Sequence, residues 1–586
     1  MVMKVSSTHR KNDLIQLVLS IAILALLVAV STFAYFKIDL TEEKRHSVTD
    51  STMAMLDELD DIVYIRCYLS GNFPAKFKRL EQAFRERLDE FDDLSDGLFE
   101  YEFINIYEDS DEKTIGESEQ TLYEEGLRFS RIGYEEGGVR QFQNIWPAAV
   151  MTYKGNSLPI QLFQSENPDP SAEKINASVN NLEYLLASNL RILTRKTIPA
   201  IAILEGHREL RPLETADLEL TLKDNYDVER VEINGKLDAL ADKVNGVGQR
   251  INKYDLLIVA KPDSMFSNKD KLIIDQFIMN GGRVLWMIDP IRTDLDSLKT
   301  NQQTLAMTNE MGLYDMLFDY GVRLNRNLII DYQCAPIVYD AGPMGDRRNM
   351  QMFNWYFAPV VIPADSAHPI CTNIDPLHFD FASSLDLVGE NENVRKHVLL
   401  QSSNLSLERR APIRVTTAVS NLEKDYFEKD TDDPYNLAVL LEGEFNSNFV
   451  GRISNKQLLD DPDFAFREKS RPTKMIVIGD GDFGRNKFMA TEGGFTPLPL
   501  GYDRYAGRVV YDNKEFLLNA INYLLDDADL IAIRSRTIIL RTLDKEIVKD
   551  HKGLIQLLNV TIPFVIIGLM GVVLMWMRKR KYGKEA

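Results

Sequence analysis

The sequence predicts an α/β body held between two membrane-spanning helices, and three observations carry that prediction. Leu14 to Phe36 is an uncharged run of 23 residues, and Leu554 to Met577 is a second uncharged run. Between them, residues 255–290 alternate an apolar strand, an amphipathic helix and another apolar strand, the rhythm of a parallel, doubly wound sheet.

The first run, at about 1.5 Å per residue, would reach about 34 Å, enough to cross a hydrocarbon core of about 30 Å. Lys4, Arg10 and Lys11 precede it, while Arg578, Lys579, Arg580 and Lys581 follow the second run. Basic flanks stay on the cytoplasmic side. Both termini are therefore expected in the cytoplasm of an inner-membrane protein, with residues 37–553 in the periplasm. A cleaved signal peptide is the competing reading of the first run. Its apolar region normally covers only about 7–15 residues, and no strong A-x-A site follows the run, so a retained anchor is expected. The expected boundaries are 1–36 for the N-terminus and first span, 37–196 for a first domain, 197–530 for an α/β region and 531–553 for a linker. The second span, 554–577, and a basic tail, 578–586, complete the chain.

The 586 residues carry a formal charge of −20, and the basic ends leave −26 on the expected exported body. Such an excess repels nucleic acid and anionic lipid; it fits a solvated surface. Cys67, Cys334 and Cys371 are too few for a disulfide scaffold in an oxidising compartment. They fit either a Cys334–Cys371 bridge or buried thiols.

In the first domain, a short helix is expected near Ser47. Ile62–Leu69 follows as an apolar strand, and Phe77, Leu80, Phe84, Leu88, Phe91 and Leu94 then mark one helix face by spacings of three and four. Phe99–Tyr107 reads as a strand, Glu119–Arg128 as a helix, Ala148–Tyr153 with Leu158–Phe163 as a hairpin, and Ala172–Leu193 as a long helix. That order resembles a thioredoxin-like fold, with Pro147 where the fold commonly keeps a cis proline. A redox member needs Cys-x-x-Cys after the first strand. Ser70, Gly71, Asn72 and Phe73 stand there instead, so a binding or spacer module is expected.

From Pro199 the rhythm becomes α/β. Ala200–Leu204 and Val228–Ile233 read as strands flanking a helix at Leu213–Asn225. Asp255–Ala260 is a strand, Asn268 is expected to cap a helix through Met279, Gly281 and Gly282 stop it, and Val284–Ile288 is the next strand. Ligands on such sheets sit at the carboxyl ends of strands. Glu205, His207, Lys261, Pro262 and Asp289 are therefore candidate ligand or partner residues, with capping and lining of strand-to-helix turns as the plainer role. Beyond Leu313 a helix reaches Tyr320, Leu328–Ile330 is strand-like, and the Pro-rich stretch 335–386 resists assignment. Strands are expected at His397–Gln401, Ile413–Val419, Leu437–Leu441 and Lys474–Ile478, and a closing helix at Glu515–Leu525. Asp480 and Asp482 in GDGDFGRN could hold Mg²⁺ or Ca²⁺. A turn whose aspartates cap backbone amides is the simpler expectation.

Signatures of catalysis are missing from the sequence. It contains no G-x-x-x-x-G-K-[ST], H-E-x-x-H, Cys-x-x-Cys or G-x-S-x-G pattern, which removes the commonest phosphate-loop, zinc and acyl-transfer motifs. No catalytic residue, cofactor or metal is expected, and the chain should not hydrolyse ATP itself.

DLTEEKRHSVTD at 39–50, ILEGH at 203–207, the stretch 255–290, VLLEGEF at 439–445, IGDGDF at 478–483 and 499–525 together carry a further likeness. With the two terminal spans they resemble the GldG family of gliding-motility proteins over nearly the whole chain. The resemblance implies an auxiliary, substrate-binding membrane subunit of an ABC transporter, working with a separate permease and a separate ATPase. It is compatible with one or two copies per transporter. The middle region also resembles the class I glutamine amidotransferase sheet, without a counterpart of that fold's nucleophilic cysteine. Three functions follow: a non-enzymatic transporter subunit, a solute-binding subunit with a strand-end pocket, or an envelope hydrolase, for which the sequence offers no nucleophile.

Overall fold

A computed structural model describes residues 15, 17–26, 48–71, 73–108, 112–136, 139–163, 170, 172–244, 249–293, 303–344, 347–363, 368–372, 374–389, 391–416, 422–428, 433–453, 464–491, 494–525 and 552–582. The chain divides into two units, Met1–Thr537 and Ile538–Ala586. Of the first apolar run, Leu17–Leu26 (α1) is an apolar helix; residues 27–47 lie outside the described residues, as does the linker up to residue 551. In the second unit, Lys552–Tyr582 (α11) is one helix, and Asn559–Met577 within it is long and apolar enough to cross a membrane.

The first domain opens with helix Asp50–Asp57 (α2), whose N-terminus is capped by Thr49. Val63–Cys67 (β1) follows, with alternate residues buried. The periodic stripe forms Ala75–Leu94 (α3), which buries Phe77, Leu80, Phe84, Leu88 and Phe91 completely. Phe99–Phe103 (β2) returns beneath it, with Phe91 and Phe99 meeting edge to face at 5.4 Å. Helix Glu112–Glu124 (α4) begins earlier than the sequence suggests. A hairpin not expected from the sequence, Ser130–Glu136 (β3) with Val139–Ile145 (β4), precedes the expected one, Ala148–Tyr153 (β5) with Asn156–Gln161 (β6).

The sheet order is β2-β1-β5-β6, with β1 parallel to β2 and antiparallel to β5. The long closing helix is broken at Asn181 into Ala172–Asn180 (α5) and Leu182–Thr194 (α6). Pro147 follows a trans peptide; the cis bond among the described residues is Ala411–Pro412. Cys67 lies buried in β1, where burial pushes its thiol up to about 12, and no disulfide joins Cys334 and Cys371.

The second region is a mixed sheet with a parallel majority. Its strands include Ala200–Glu205 (β7), Asp227–Glu232 (β8), and Leu256–Ala260 (β11) after a small hairpin, Ala241–Val244 (β9) with Gln249–Asn252 (β10). Arg283–Met287 (β12) precedes a long excursion built on the hairpin Cys334–Met344 (β13) and Arg347–Val361 (β14). The sheet resumes with Val394–Gln401 (β15), Asn436–Gly443 (β16) and Thr473–Ile478 (β17). In the order β15-β16-β17-β12-β11-β7-β8, the strands from β17 to β8 are parallel, while β16 and β15 make an antiparallel edge.

Alternation divides the side chains between the two faces. Leu256 and Ile258 of β11 join the cluster containing Leu218 and Leu222 of Ala216–Lys223 (α7) and Phe516 and Ile521 of Asn513–Leu525 (α10). Leu257 and Val259 join Ile274 and Phe277 of Asn268–Met279 (α8) and Leu317 of Tyr314–Tyr320 (α9). The first cluster also contains the core of the first domain, so both regions share apolar packing. The cap of α8 is Ser267, not Asn268: its Oγ accepts from the Asp270 amide at 3.1 Å and donates to Asp270 Oδ2 at 2.7 Å.

Candidate functional site

Strand order fixes where a crevice should open. The chain leaves β7 for the outer strand β8 and returns on the other side of β7 as β11. This reversal is where open α/β sheets receive ligands, at the carboxyl ends. Lys261 follows β11, Asp289 follows β12, and Asp480 and Asp482 follow β17, so the four strand-end candidates converge.

Lys261 Nζ lies 3.1 Å from Asp289 Oδ2 and also pairs with Asp482. Arg485 Nη1 approaches Asp482 Oδ1 at 3.2 Å, and its Nη2 reaches Glu214 Oε1 at 2.8 Å. Burial opposes the Lys261 charge, but Asp289 and Asp482 outweigh it and raise the ammonium pKa. Burial raises the Asp289 carboxyl, against the pull of Lys261. Asp480 is driven well above the usual carboxylate range by burial and then by the charges of Asp289, Asp482 and Asp380.

Both Asp480 oxygens are engaged by backbone: Oδ1 accepts from the Asp482 amide at 2.8 Å and Oδ2 from the Asp380 amide at 2.7 Å. This is the amide-capping turn, carried out across 100 residues of chain as well as locally. Among the described residues, no three His, Cys, Asp or Glu side chains are grouped to hold a metal ion.

The excursion covers these strand ends. The Ser383 amide donates to Gly479 O at 2.7 Å, and a Cβ at Gly479 would meet Ser383 O at 2.2 Å. At Gly481 a Cβ would stand 2.8 Å from Lys261 Cγ and 3.0 Å from Asp289 Cγ. Glycine thus lets backbone close over the ion cluster. A small pocket lined by Asp380, Asp482 and Arg485 keeps about 30 Å³, enough for water but far below the roughly 300–1,000 Å³ of a ligand pocket. The open strand-end crevice expected from the sheet order is filled here by the chain itself. A far larger cavity, about 980 Å³, opens at the opposite, amino ends of the strands.

Glu205 and His207 belong to neighbouring networks. Glu205 accepts from Arg230 Nη1 at 2.7 Å, and Arg230 also pairs with Glu219. His207 is buried, stacked on Phe266 with centroids 3.7 Å apart and planes 7° from parallel. Its Nε2 lies 3.4 Å from Asp270 Oδ2, and its Nδ1 lies 3.3 Å from Glu209 Oε1, close enough for an ion pair but misaligned for a hydrogen bond. Burial lowers the imidazole pKa, but Glu209 and Asp270 outweigh it and leave it raised. Pro262 contributes its carbonyl to Asn309 Nδ2 at 3.2 Å. Sequence reasoning missed Glu209, Asp270, Asp380 and Arg485. The Ser-x-x-Asp spacing of Ser267 and Asp270 was a readable capping signal, whereas Asp380 has no local one.

Residues 198–520 match the family model described as an ABC-type uncharacterized transport system, and residues 42–152 match a domain of unknown function. An uncharacterized protein of Borreliella burgdorferi is 22% identical over 455 residues, 76% of this chain and 80% of the relative. Among solved structures, the mmIFT52 N-terminal domain aligns over 56% of this chain and 98% of its own length. That alignment has 11% identity and a TM-score of 0.29, too loose a superposition to carry fold or function.

Proposed function

The chain belongs to the ABC-type uncharacterized transport system family, an auxiliary component of such a system, and from that premise we propose a non-enzymatic membrane subunit whose folded body engages a permease and a separate ATPase. The observation that carries this reading is the family match over the α/β region. The sequence itself lacks a phosphate loop, so ATP hydrolysis falls to another subunit. At the strand ends, Lys261 is committed to two carboxylates and Asp480 to two backbone amides, an arrangement that favours holding the excursion in place over attacking a substrate.

The phrases shared with the GldG family support gliding motility as the process served. The β2-β1-β5-β6 sheet supports a thioredoxin-like spacer, and the parallel region supports an amidotransferase-like ancestry. In this reading the chain is an inner-membrane protein with both termini in the cytoplasm and residues 37–553 in the periplasm.

Recovery of the tagged chain from its own membranes tests the proposal. An ABC permease and an ATPase should co-purify, and the chain freed of them should not hydrolyse ATP. Absence of any ABC subunit, or ATP hydrolysis by the chain alone, would refute it. Topology is read separately with a membrane-impermeant thiol reagent: a cysteine placed at Lys236 should label in intact cells, and cysteines placed at Lys4 or Lys584 should not.

A further inference from the structure

The 980 Å³ cavity lies between the first domain and the amino ends of the large sheet, at the upper end of the roughly 300–1,000 Å³ typical of ligand pockets. One wall is α6 with the segment leading from it to β7. The starts of β11 and β12 and the last turn of α10 also line it.

Its charge runs against that of the chain. Lys154, Arg191, Arg195, Lys196 and Arg283 line it, against Glu58, Asp60 and Asp255. Five cations facing three carboxylates leave a local excess of +2 in a protein whose formal charge is −20. Asp60 is already matched by Lys154 at 2.6 Å, and Asp255 Oδ2 accepts the Ala200 amide at 2.9 Å. Arg195 Nη1 is buried without a hydrogen-bond partner among the described residues, and its guanidinium stands 5.4 Å from the Tyr226 ring. A buried donor left unmade is costly and fits a missing acceptor. The acidic surface does not oppose this at short range, because charges beyond a screening length of about 8 Å are largely damped.

We propose that this cleft binds an organic phosphate monoester, its phosphoryl oxygens on Arg191 and Arg195 and its apolar body against Tyr184, Tyr226 and Leu525. Guanidinium forks match phosphate oxygens in pairs. A monoester carries about −1.5 to −2 at neutral pH, which balances the local excess; a carboxylate would balance half of it. The aromatic and aliphatic lining suits the rest of such a molecule. This site is separate from the strand-end cluster and does not depend on the transporter reading.

Hexyl phosphate is the probe, titrated calorimetrically into the full chain held in an amphipathic polymer. Saturable 1:1 binding is expected, tighter than that of inorganic phosphate or hexanoate. The Arg191→Gln/Arg195→Gln double variant should lose it at least tenfold. Ser188→Trp, which fills the cleft without removing a charge, should also abolish it and keeps the test valid if the double variant misfolds. Displacement of hexyl phosphate by dihexanoyl phosphatidic acid, itself a monoester, would assign the ligand to lipid headgroups; displacement by water-soluble monoesters alone would assign it to soluble esters. No saturable binding, equal binding to both folded variants and wild type, or hexanoate binding as tightly as hexyl phosphate would overturn the assignment.

Discussion

Lys261 occupies the left-handed region, with φ of 55°, where a residue bearing a Cβ costs about 1–2 kcal/mol. What holds it there is the pair of carboxylates on its Nζ, Asp289 and Asp482. Lys261→Met should therefore cost roughly 3–5 kcal/mol, because it strands buried charge, and Asp289→Asn in that background should recover part of the loss in urea unfolding. Lys261→Gly removes the same charge but relieves the backbone, so it should be about 1 kcal/mol less damaging than Lys261→Met; equal losses would show that the strain is immaterial. His207 makes a second prediction at this scale. Its folded pKa is raised by Glu209 and Asp270 over the opposing effect of burial. The stabilisation is thus complete below the unfolded value of about 6.5 and fades as pH rises through the folded value. The stability difference between wild type and His207→Gln should shrink as pH rises above about 6.5; a flat difference would mean the imidazole does not titrate with folding.

At the element scale, α8 offers a direct measurement. Ser267, not Asn268, is the N-cap and accepts the Asp270 amide, the third of the helix. Ser267→Ala should therefore cost about 1 kcal/mol, and Asn268→Ala should stay within about 0.5 kcal/mol. Equivalent effects in chemical unfolding would return the cap to Asn268. That one-residue shift is typical of what could be read from the chain and what could not. The stripe Phe77, Leu80, Phe84, Leu88 and Phe91 was legible because one helical face is fully buried, and β11 because all five of its residues are buried. The hairpin of β3 and β4 was not, since its described buried apolar positions are Ile132 and Ile145, too few to make a pattern. In β13 and β14, Pro336, Pro343 and Pro359 argue against strands. The ladder accommodates the first two at register shifts, between Cys334 and Pro336 and between Asp340 and Pro343. At the strand ends, alternation sufficed to place Lys261 and Asp289 at neighbouring carboxyl ends, but that Asp480 and Asp482 join them depends on the long-range pairing of β17 with β12. The covering by Asp380 and Ser383 was illegible because it depends on pairing roughly a hundred residues apart.

For the whole molecule, the open question is whether α11 only anchors or also docks. Apolar area gives little preference for protein over acyl chains inside a membrane, so helix association there relies on small residues and side-chain hydrogen bonds of about 0.6–2 kcal/mol each. Gln556, Asn559, Thr561, Gly568 and Gly571 supply such residues, and Trp576 lies beneath the Arg580 guanidinium, 4.8 Å away, an aromatic and basic pair of the kind that favours a membrane interface. Thr561 must be discounted: its hydroxyl donates to Leu557 O at 2.7 Å within the same helix. The glycines are three apart, not the four of a G-x-x-x-G face, which leaves Asn559 and, by sequence, Gln556 as the polar residues a partner helix would meet. Docking by α11 therefore predicts that replacing Leu554 to Met577 with polyleucine of equal length, Arg578 to Lys581 retained, leaves the chain in the membrane but reduces permease recovery severalfold. Restoring Gln556 and Asn559 alone in the polyleucine span should recover most of it. If permease recovery is undiminished by polyleucine, α11 is an anchor only, and the contact belongs to the folded body or the first apolar segment.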